Sequence, residues 1–396
     1  MDNPLGLSKR QLSEIFGDVK GLFWDGVEDL MRQPVLRGLK RLLERAMKAE
    51  VVGYVKAPRH ARTAGRVDYL NGFRYRNLGT AFGLLVDIRV PRTQRRGYRP
   101  GVFQRYARRT ALVNHFIREI FIQGVSTRQV GPVLNELSGQ RVSASTVSQV
   151  TKVLDQEVRA FQRRPLVDTY RYLFLDGVRQ RVVSCGRTVQ KVVLVAYGIK
   201  HDGHREVIDF RAAKSESETE WLGFLNGLYQ RGLTGDRLRL IIIDGGKGLR
   251  LALDMVYPQV KRQRCWAHKL RNVANYIPRR YQTPCLKEAR GIYLAAHYRQ
   301  AVQRYKAWCR HWRAQAPKAV ACLERDIEDM LAFYSEDSKL RIRIRTTNAI
   351  ERIFKELRRR TRPMSLFANV ASCERIVYAL FKRYNNRWEE RRYVVF

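Results

Sequence analysis

The feature that most constrains the fold is a change in the spacing of apolar residues near residue 170. Beyond it, the segments "YLFLDGVRQRVV", "TVQKVVLVAYGIKHDG" and "HREVIDFRAA" alternate or run apolar, with Gly186 and Asp202-Gly203 between them. This pattern predicts three strands in a meander. A helix in "SETEWLGFLNGLYQRG", a buried strand in "RLRLIIID" and a helix in "GGKGLRLALDMVY" follow. The sequence therefore predicts one compact α/β sheet.

The rest of the chain is predicted to be mostly helical, because its apolar residues recur at helical spacing. An exception follows residue 60, where aromatic and β-branched residues with Asn-Gly predict a short strand pair. The predicted organisation is a helical region at 1–60, strands and a basic connection at 61–109, a helix-turn-helix-like region at 110–165, the sheet at 166–266, a helical segment at 267–338 and final helices at 339–396.

Residues 110–165 contain three helical segments, "TALVNHFIREIFIQG", "STRQVGPVLNELSG" and "SASTVSQVTKVLDQEVRAFQ". Ser126 and Ser143 are predicted N-caps and Gly139 a helix stop. Two helices with a short connection are typical of a helix-turn-helix, in which the third segment would contact DNA. A helical hairpin in a bundle gives the same pattern, so both interpretations stand.

Net charge indicates the class of partner. The 396 residues include 76 Lys and Arg against 37 Asp and Glu, a net charge of +39. A polyanion is the expected partner, through release of counterions from its phosphates. No apolar run of about 18 residues could span a membrane, and no signal peptide begins the chain. Six scattered cysteines favour reduced thiols in a cytosol over a disulfide framework.

Four arginines follow the predicted strand pair, with no acidic residue among them. A solvated loop would explain them, but phosphate contact is the favoured interpretation. They are Arg92, Arg95, Arg96 and Arg99.

Two aspartates follow apolar strands: Asp176 in "YLFLDG" and Asp244 in "LIIIDGG". Carboxylates at strand ends, with glycines that allow close approach, are a common way to hold a metal ion. Two Mg²⁺ ions about 3.5–4 Å apart can activate water and stabilise the leaving oxygen of a phosphodiester. Asp-Gly after a strand is often only a turn, but two in one predicted sheet of a cationic chain favour the metal site.

The segment "TTNAIERIFKELRRRTRP" supplies a third candidate acid, Glu351. Asn348 could cap this helix with Glu351 as its capping-box partner, which is compatible with metal binding. Glu351, Lys355, Arg358 and Arg362 recur at spacings that place them on one helix face. Glu356 projects off that face and is therefore a weaker candidate than Glu351 for the third acid.

Together "FLDG", "IIDGGKGL", "RCWAHKLRNV" and "TTNAIERIFKELRRRTRP" resemble the transposases of the IS256 or Mutator-like insertion-sequence family in order and spacing, over nearly the whole chain. The resemblance implies an RNase H-like α/β core with a mixed sheet, interrupted by an all-helical insertion and preceded by helical DNA-binding domains. It also implies a DDE active site, in which Asp176, Asp244 and Glu351 are catalytic and hold two Mg²⁺ ions, with Mn²⁺ as a substitute.

Cys265 and His268 match the family's C-x-x-H motif. A structural zinc site needs four ligands, and no second pair has suitable spacing. Support of the active site by this pair, with Asn348, is therefore the favoured interpretation, ahead of a simple packed pair and of zinc. We also expect the helix after Glu351 to contact DNA through Lys355, Arg358, Arg359, Arg360 and Arg362.

The expected activity is DNA transposition: binding of terminal inverted repeats, metal-dependent cleavage and strand transfer into target DNA. A homodimer is expected because two element ends must be joined, and the location implied is the bacterial cytoplasm, at the nucleoid. The alternatives are a metal-dependent nuclease or resolvase that does not join ends, and a DNA-binding protein without catalysis.

Overall fold

The computed structural model describes residues 9–58, 60, 61, 63–103 and 107–396, with side chains from residue 30 onward. The chain divides into two compact units. The first comprises Met1–Phe121 with Ser126–Val150, and the second comprises Ile122–Val125 with Thr151–Phe396.

The first unit begins with a long helix and a hairpin. Helix α1 spans Lys9–Val55, and strands β1 (Leu70–Thr80) and β2 (Gly83–Thr93) pair antiparallel. Alternating β2 residues such as Ile88 pack with Met47 of α1 in a small buried core. The predicted helix and strand pair are confirmed, except for residues 1–8, which lie outside the described residues.

The Asn-Gly pair of this hairpin has a different role from the one its sequence predicts. The chain reverses between Thr80 and Gly83, whereas Gly72 lies within β1 at a shift in register and has a φ of 66°. A glycine with positive φ inside a strand is typical of a bulge. The pair therefore bends β1 and does not form the turn.

Helices α2 (Ala111–Ile122), α3 (Thr127–Ser138) and α4 (Ala144–Thr151) follow. Gly139 ends α3 in the left-handed conformation, and the Ser143 hydroxyl accepts the Thr146 N–H at 3.2 Å, both as predicted. Ser126 occupies the N-cap position of α3 but makes no side-chain cap hydrogen bond.

The predicted third helix of this region is two helices. Helix α4 ends at Thr151, and α5 spans Leu154–Arg163 in the second unit. Helix α5 is held there by Asp155, which accepts two hydrogen bonds from Arg375 at 2.6 and 2.8 Å. The apolar spacing runs on from α4 into α5, so the sequence predicted one helix. In the structure the ion pair between Asp155 and Arg375 holds α5 in the second unit.

The second unit contains a five-stranded mixed sheet. Its strands β3 (Tyr170–Ser184), β4 (Arg187–Lys200), β5 (Arg205–Ala213), β6 (Leu240–Ile243) and β7 (Arg262–Arg264) lie in the order β5-β4-β3-β6-β7. The first three form the predicted antiparallel meander, and β6 and β7 add in parallel beside β3. Sequence reasoning missed β7, because "RQR" has no apolar signal.

Helices cover the sheet. Helices α6 (Glu218–Gln230) and α7 (Lys247–Val256) pack on one face through a core that includes Trp221, Phe224 and Leu225. Against β5 lies α15 (Val370–Glu389), where Phe381 meets Phe210 with ring centroids 5.5 Å apart. Both arrangements bury the apolar face of an amphipathic helix.

The region after β7 is helical, as predicted. It contains α8 (Trp266–Ala274), α9 (Arg279–Tyr293), α10 (Tyr298–Trp312), α11 (Pro317–Glu324), α12 (Ile327–Leu331), a 3₁₀ turn at Ala332–Ser335, α13 (Ser338–Ile344) and α14 (Asn348–Thr361). The six-part domain division stays a prediction. All six cysteines are free thiols. No helix among the described residues has the length and apolarity needed to cross a membrane.

Candidate active site and arginine groove

The carboxyl edge of the parallel strands brings three distant segments together. Leu175 of β3 lies opposite Ile243 of β6, and Ile243 lies opposite Arg264 of β7. The next residues along the edge are Asp176, Asp244 and Cys265. Because neighbouring strands are about 4.8 Å apart, the sheet places the two predicted catalytic aspartates side by side.

The sequence predicted that Asp176 lies at the end of its strand, but in the structure the strand continues beyond it. Strand β3 continues to Ser184 in an antiparallel ladder with β4, and only its pairing with the four-residue β6 stops at Leu175. Asp244 does follow the last residue of β6. The two aspartates thus share an edge because β6 is short.

The glycines after the aspartates make room for side chains of the protein itself. Gly245 has a φ of +93°, and a Cβ there would overlap the guanidinium of Arg264. A Cβ on Gly177 would lie 2.8 Å from Val192 Cγ1 and 3.1 Å from Glu216 Oε1. Protein atoms therefore fill the space beside Gly177 and Gly245. A Cβ on Gly246 would meet only Asp244 Oδ1, at 3.6 Å, so close approach of a ligand at Gly246 stays a prediction.

Asp176 is 9% exposed, and its Oδ1 accepts the Gly177 N–H at 2.7 Å. Burial, followed by the charge of Asp244, raises the pKa of Asp176 to about 7. Glu351 raises this pKa further, whereas His268 lowers it. Glu351 therefore lies within electrostatic range of Asp176.

Glu351 lies in the first turn of α14. Its Oε1 is 3.5 Å from His268 Nε2, 3.6 Å from Arg271 Nη2 and 3.5 Å from the Thr347 hydroxyl. Two residues of α8 and one before α14 therefore surround this carboxylate, and Arg271 places a positive charge beside it.

Cys265 and His268 connect the sheet edge to the start of α14. The buried Cys265 Sγ accepts hydrogen bonds from the Thr347 N–H and hydroxyl, both at 3.3 Å. Burial opposes ionisation, but hydrogen bonds from His268 and Thr347 hold the pKa of Cys265 below its ordinary value. Thr347 also lies 3.4 Å from His268 Nδ1. This geometry fits the predicted supporting role.

Asn348 is not the helix cap that the sequence predicted. It is the first helical residue and is exposed, while Thr347 occupies the N-cap position. The N–H of Glu351 donates to the Thr347 carbonyl at 3.0 Å. The capping box between Asn348 and Glu351 is therefore wrong, since both residues lie within the first helical turn.

The cations of α14 divide into exposed and buried groups. Lys355, Arg358 and Arg362 are exposed, and so is Arg359, which hydrogen-bonds to Glu356 at 2.7 and 2.9 Å. Arg360 is 8% exposed and donates to Gln123 at 2.7 Å and to Glu356 at 3.0 Å. Because its guanidinium is enclosed, Arg360 is not retained among the proposed phosphate-binding residues.

Sequence reasoning missed one carboxylate at this site, Glu216. Its Oε1 lies against Gly177, and partial burial together with the charge of Asp244 raises its pKa. In "KSESETE" it looks like one of the acids that commonly begin helices. No local signal separates it from Glu218 or Glu220.

The described residues include no group of three or more His, Cys, Asp or Glu side chains already arranged around a metal position. Magnesium usually keeps several waters and binds through one or two carboxylates plus substrate phosphate. Adjacent Asp176 and Asp244 fit that requirement, and their mutual repulsion would be relieved by a cation. The donor set therefore fits magnesium with substrate and water as the remaining ligands.

The first unit contains an open groove of about 1360 Å³. Its lining includes one acid, Asp87, and seven arginines: Arg74, Arg76, Arg96, Arg99, Arg108, Arg109 and Arg141. Ser143 and Thr146 at the start of α4 also line it. We call this cavity the arginine groove.

Like charges crowd one another in the arginine groove. Burial, followed by the charge of Arg74, lowers the pKa of Arg76, and burial followed by Arg108 lowers that of Arg109. Of the four predicted phosphate-binding arginines after the hairpin, the groove includes Arg96 and Arg99. Arg92 is an exposed residue of β2, and the Arg95 Nη1 donates to the Val67 carbonyl at 3.3 Å.

Known proteins are similar in sequence to this chain along most of its length. Residues 22–391 match the family described as "Transposase, Mutator family". The chain is 33% identical over 357 residues to the transposase for insertion sequence element ISRM5 of Rhizobium meliloti, covering 90% of this chain and 89% of that protein. It is 37% identical to the transposase for IS406 of Burkholderia multivorans, covering 88% and 90%.

A third relative, the transposase for IS256 in transposon Tn4001 of Staphylococcus aureus, is 32% identical over 363 residues, covering 90% of this chain and 92% of that protein. The family match and these relatives extend across both the arginine groove and the acidic edge of the sheet. The chain therefore belongs to the Mutator family of insertion-sequence transposases.

Proposed function

We propose that this transposase binds the terminal inverted repeats of its element and carries out metal-dependent DNA cleavage and strand transfer at Asp176, Asp244 and Glu351. The observation that carries the proposal is the placement of Asp176 and Asp244 at neighbouring positions of one sheet edge, with Glu351 close enough to raise the pKa of Asp176. We further infer that the mixed five-stranded sheet is an RNase H-like core.

Asp176 and Asp244 would hold Mg²⁺, with Glu351 as a further ligand. Two divalent ions at such a site supply Lewis-acid activation of water or a 3′-hydroxyl and stabilise the leaving oxygen. Glu216, beside Gly177, would orient a water molecule of the site by accepting a hydrogen bond. No nucleophilic side chain is required.

The protein's own groups prepare the site for a phosphodiester. Asp176 must be ionised to act as a ligand, and its pKa of about 7 places that ionisation near neutral pH. His268 and Arg271 hold the carboxylate of Glu351 at 3.5 and 3.6 Å. Lys355, Arg358 and Arg362 continue along α14 and would contact the backbone phosphates that lead to the scissile position.

Substitution of the acids provides the test. We expect Asp176→Asn, Asp244→Asn and Glu351→Gln each to lower Mg²⁺-dependent cleavage of a terminal-repeat duplex by at least about 10³-fold, since each removes a ligand of the catalytic ions. The matched control is Glu218→Gln, an exposed carboxylate of the first turn of α6. Binding of the duplex, measured by mobility shift in EDTA, should be unchanged in all four variants.

Pre-cleaved ends separate the proposal from a nuclease on the same site. Joining of a pre-cleaved terminal duplex to target DNA supports transposition, whereas cleavage without joining would assign a nuclease. Cleavage that persists in all three acid variants would overturn the catalytic assignment and leave a DNA-binding role.

We also propose a homodimer on DNA, which light scattering of the complex with one terminal duplex measures directly.

A further inference from the structure

A second pocket, of about 530 Å³, borders the loop that follows Asp244. We call it the Asp326 pocket. Its lining is strongly polar and includes Lys247, Arg250, Arg264, Lys269, Arg325 and Asp326.

One carboxylate at the base of this pocket faces three cations. Asp326 is 4% exposed and forms ion pairs with Arg264, with Lys269 and with Arg250, whose Nη1 lies 3.4 Å from Asp326 Oδ1. Arg264 and Lys269 are only 7% and 3% exposed. Two buried cations sharing one carboxylate are costly, because each loses its hydration and only part of the charge is compensated.

The remaining charges do not restore the balance. Asp254 pairs with Arg262 at 2.6 Å, and Asp329 interacts with Arg250, Arg262 and Arg264. Against these three acids stand six cations, because Lys247 and Arg325 also line the pocket: Arg250, Arg262, Arg264, Lys269, Lys247 and Arg325. The pocket therefore has an excess of positive charge that an anion would offset.

A buried donor gives independent support. The Nε of Arg264 is shielded from solvent and has no hydrogen-bond acceptor in the described part of the protein. Leaving a charged donor unsatisfied in a protein interior costs more than the bond itself contributes. A phosphate oxygen in the pocket would offer the guanidinium an additional acceptor.

The position of the pocket indicates which anion it binds. Its rim includes Gly245 and Lys247, which lie one and three residues after Asp244. Lys247 begins the ten-residue helix α7, whose N-cap Gly246 has no side chain to cap it and donates its N–H to Asp244 Oδ1 at 2.9 Å, and the dipole of α7 favours negative charge there. An anion here would be a close neighbour of the phosphodiester held at Asp244.

We propose that the Asp326 pocket binds a backbone phosphate of the DNA strand that occupies the active site, a few nucleotides from the scissile linkage. The inference rests on the proposed function for its orientation of the strand. Arg264 and Lys269 provide fixed charge from below, and Lys247 and Arg325 close over the phosphate from the exposed rim. The pocket thereby sets the register of the strand relative to Asp244.

The test removes charge from each side of the interaction. The protein variant is Lys247→Gln with Arg325→Gln, because both residues are exposed and lie outside the buried network. The matched control is Arg299→Gln with Lys318→Gln, which makes the same change in net charge at exposed residues outside the pocket. The DNA is a terminal-repeat duplex in which single linkages are replaced, one at a time, by neutral methylphosphonate.

Binding is measured in EDTA, so that cleavage has no part in the result. For wild type and control we expect one or two linkages near the cleavage position at which the neutral substitution weakens binding roughly tenfold, the effect of losing one charge-assisted hydrogen bond. In the Lys247→Gln/Arg325→Gln variant, the loss at those linkages should disappear. An identical pattern of losses in all three proteins would overturn the proposal.

Titration with inorganic phosphate distinguishes the backbone from a free anion. Thermal stabilisation by phosphate that the pocket variant lacks, without any linkage-specific effect, would assign the pocket to a free anion and overturn the DNA assignment. Linkage-specific coupling in a protein that never cleaves DNA would retain the pocket and reject the catalytic proposal. The two proposals can therefore fail separately.

Discussion

The acidic edge of the sheet and the arginine groove of the first unit concentrate opposite charges by different means. At the edge, Asp176 and Asp244 follow the completely buried residues Leu175 and Ile243. Burial and the charge of Asp244 raise the pKa of Asp176. In the groove, seven arginines from a hairpin, a connection and helix-flanking segments surround open solvent. Carboxylates that hold metal must be placed to within fractions of an ångström, whereas phosphate contacts depend mainly on charge density.

This difference predicts how each region tolerates change. At the rigid edge, a small change of backbone conformation or of protonation should lower the stability of the protein even when the acidic residues themselves are kept. A groove built from exposed guanidinium groups should weaken gradually as charges are removed. The following experiments separate these two behaviours.

The largest effect concerns the pH dependence of Asp176. Its pKa is about 7 in the folded protein against an ordinary value of 3.8, so between these values the folded chain binds more protons than the unfolded chain. Stability therefore falls as pH rises through this interval, by on the order of 4 kcal/mol for the full shift. Asp176→Asn should remove this dependence, as measured by urea unfolding in EDTA from pH 4 to pH 8.

Two additions sharpen that experiment. Mg²⁺ should restore most stability to the wild-type protein above pH 7, because it binds the ionised carboxylate. The control is Glu218→Gln, which should keep the wild-type pH dependence. Parallel pH profiles for wild type and Asp176→Asn would show that charge is not concentrated at this edge.

The second effect concerns the paired glycines after Asp244. Gly245→Ala should destabilise the protein by roughly 2–4 kcal/mol, because its φ of +93° disfavours any side chain and a Cβ would displace the buried Arg264. Gly246→Ala is the matched control, since its φ is −54° and a Cβ would lie 3.6 Å from Asp244 Oδ1. Equal unfolding midpoints for the two variants in urea would contradict the assigned backbone constraint.

The third effect tests the graded behaviour of the arginine groove. Arg96→Gln with Arg99→Gln should weaken DNA binding by about 10- to 100-fold at low salt and reduce the slope of log K against log salt by roughly 2. Arg92→Gln with Arg95→Gln makes the same charge change outside the groove lining. Mobility shifts at several salt concentrations measure both, and an equal loss for the two pairs would mean that the groove has no special role.

The smallest effect compares two neighbouring arginines of α14. Arg360→Gln should cost about 1–3 kcal/mol of stability, because it removes a buried guanidinium together with its hydrogen bonds to Gln123 and Glu356. Arg359→Gln should leave stability nearly unchanged, since the Arg359 side chain of its ion pair with Glu356 is exposed. Chemical denaturation measures both changes. A larger loss of stability for Arg359→Gln than for Arg360→Gln would contradict the burial of Arg360.

The predictions that succeeded rest on local patterns. Alternation of apolar residues located β3, β4 and β5, helical spacing located the helices after β7, and the strand-end position of Asp244 followed from the run "LIIID". Failures occurred where distant residues decide the outcome: Thr347 and not Asn348 occupies the N-cap position of α14, and β3 continues past Asp176. Short β7 is a strand because β6 is beside it, which no local propensity encodes.

From the sequence alone came the choice of the three acids, the mixed α/β and helical character, the expectation of a polyanionic partner and the family. Only the tertiary structure decided which charges are available. It encloses Arg360, seats Glu216 beside Gly177 and collects three cations on Asp326. The physical reason is that periodicity and motifs act over a few residues, whereas burial and ion pairing depend on contacts between residues far apart in the chain.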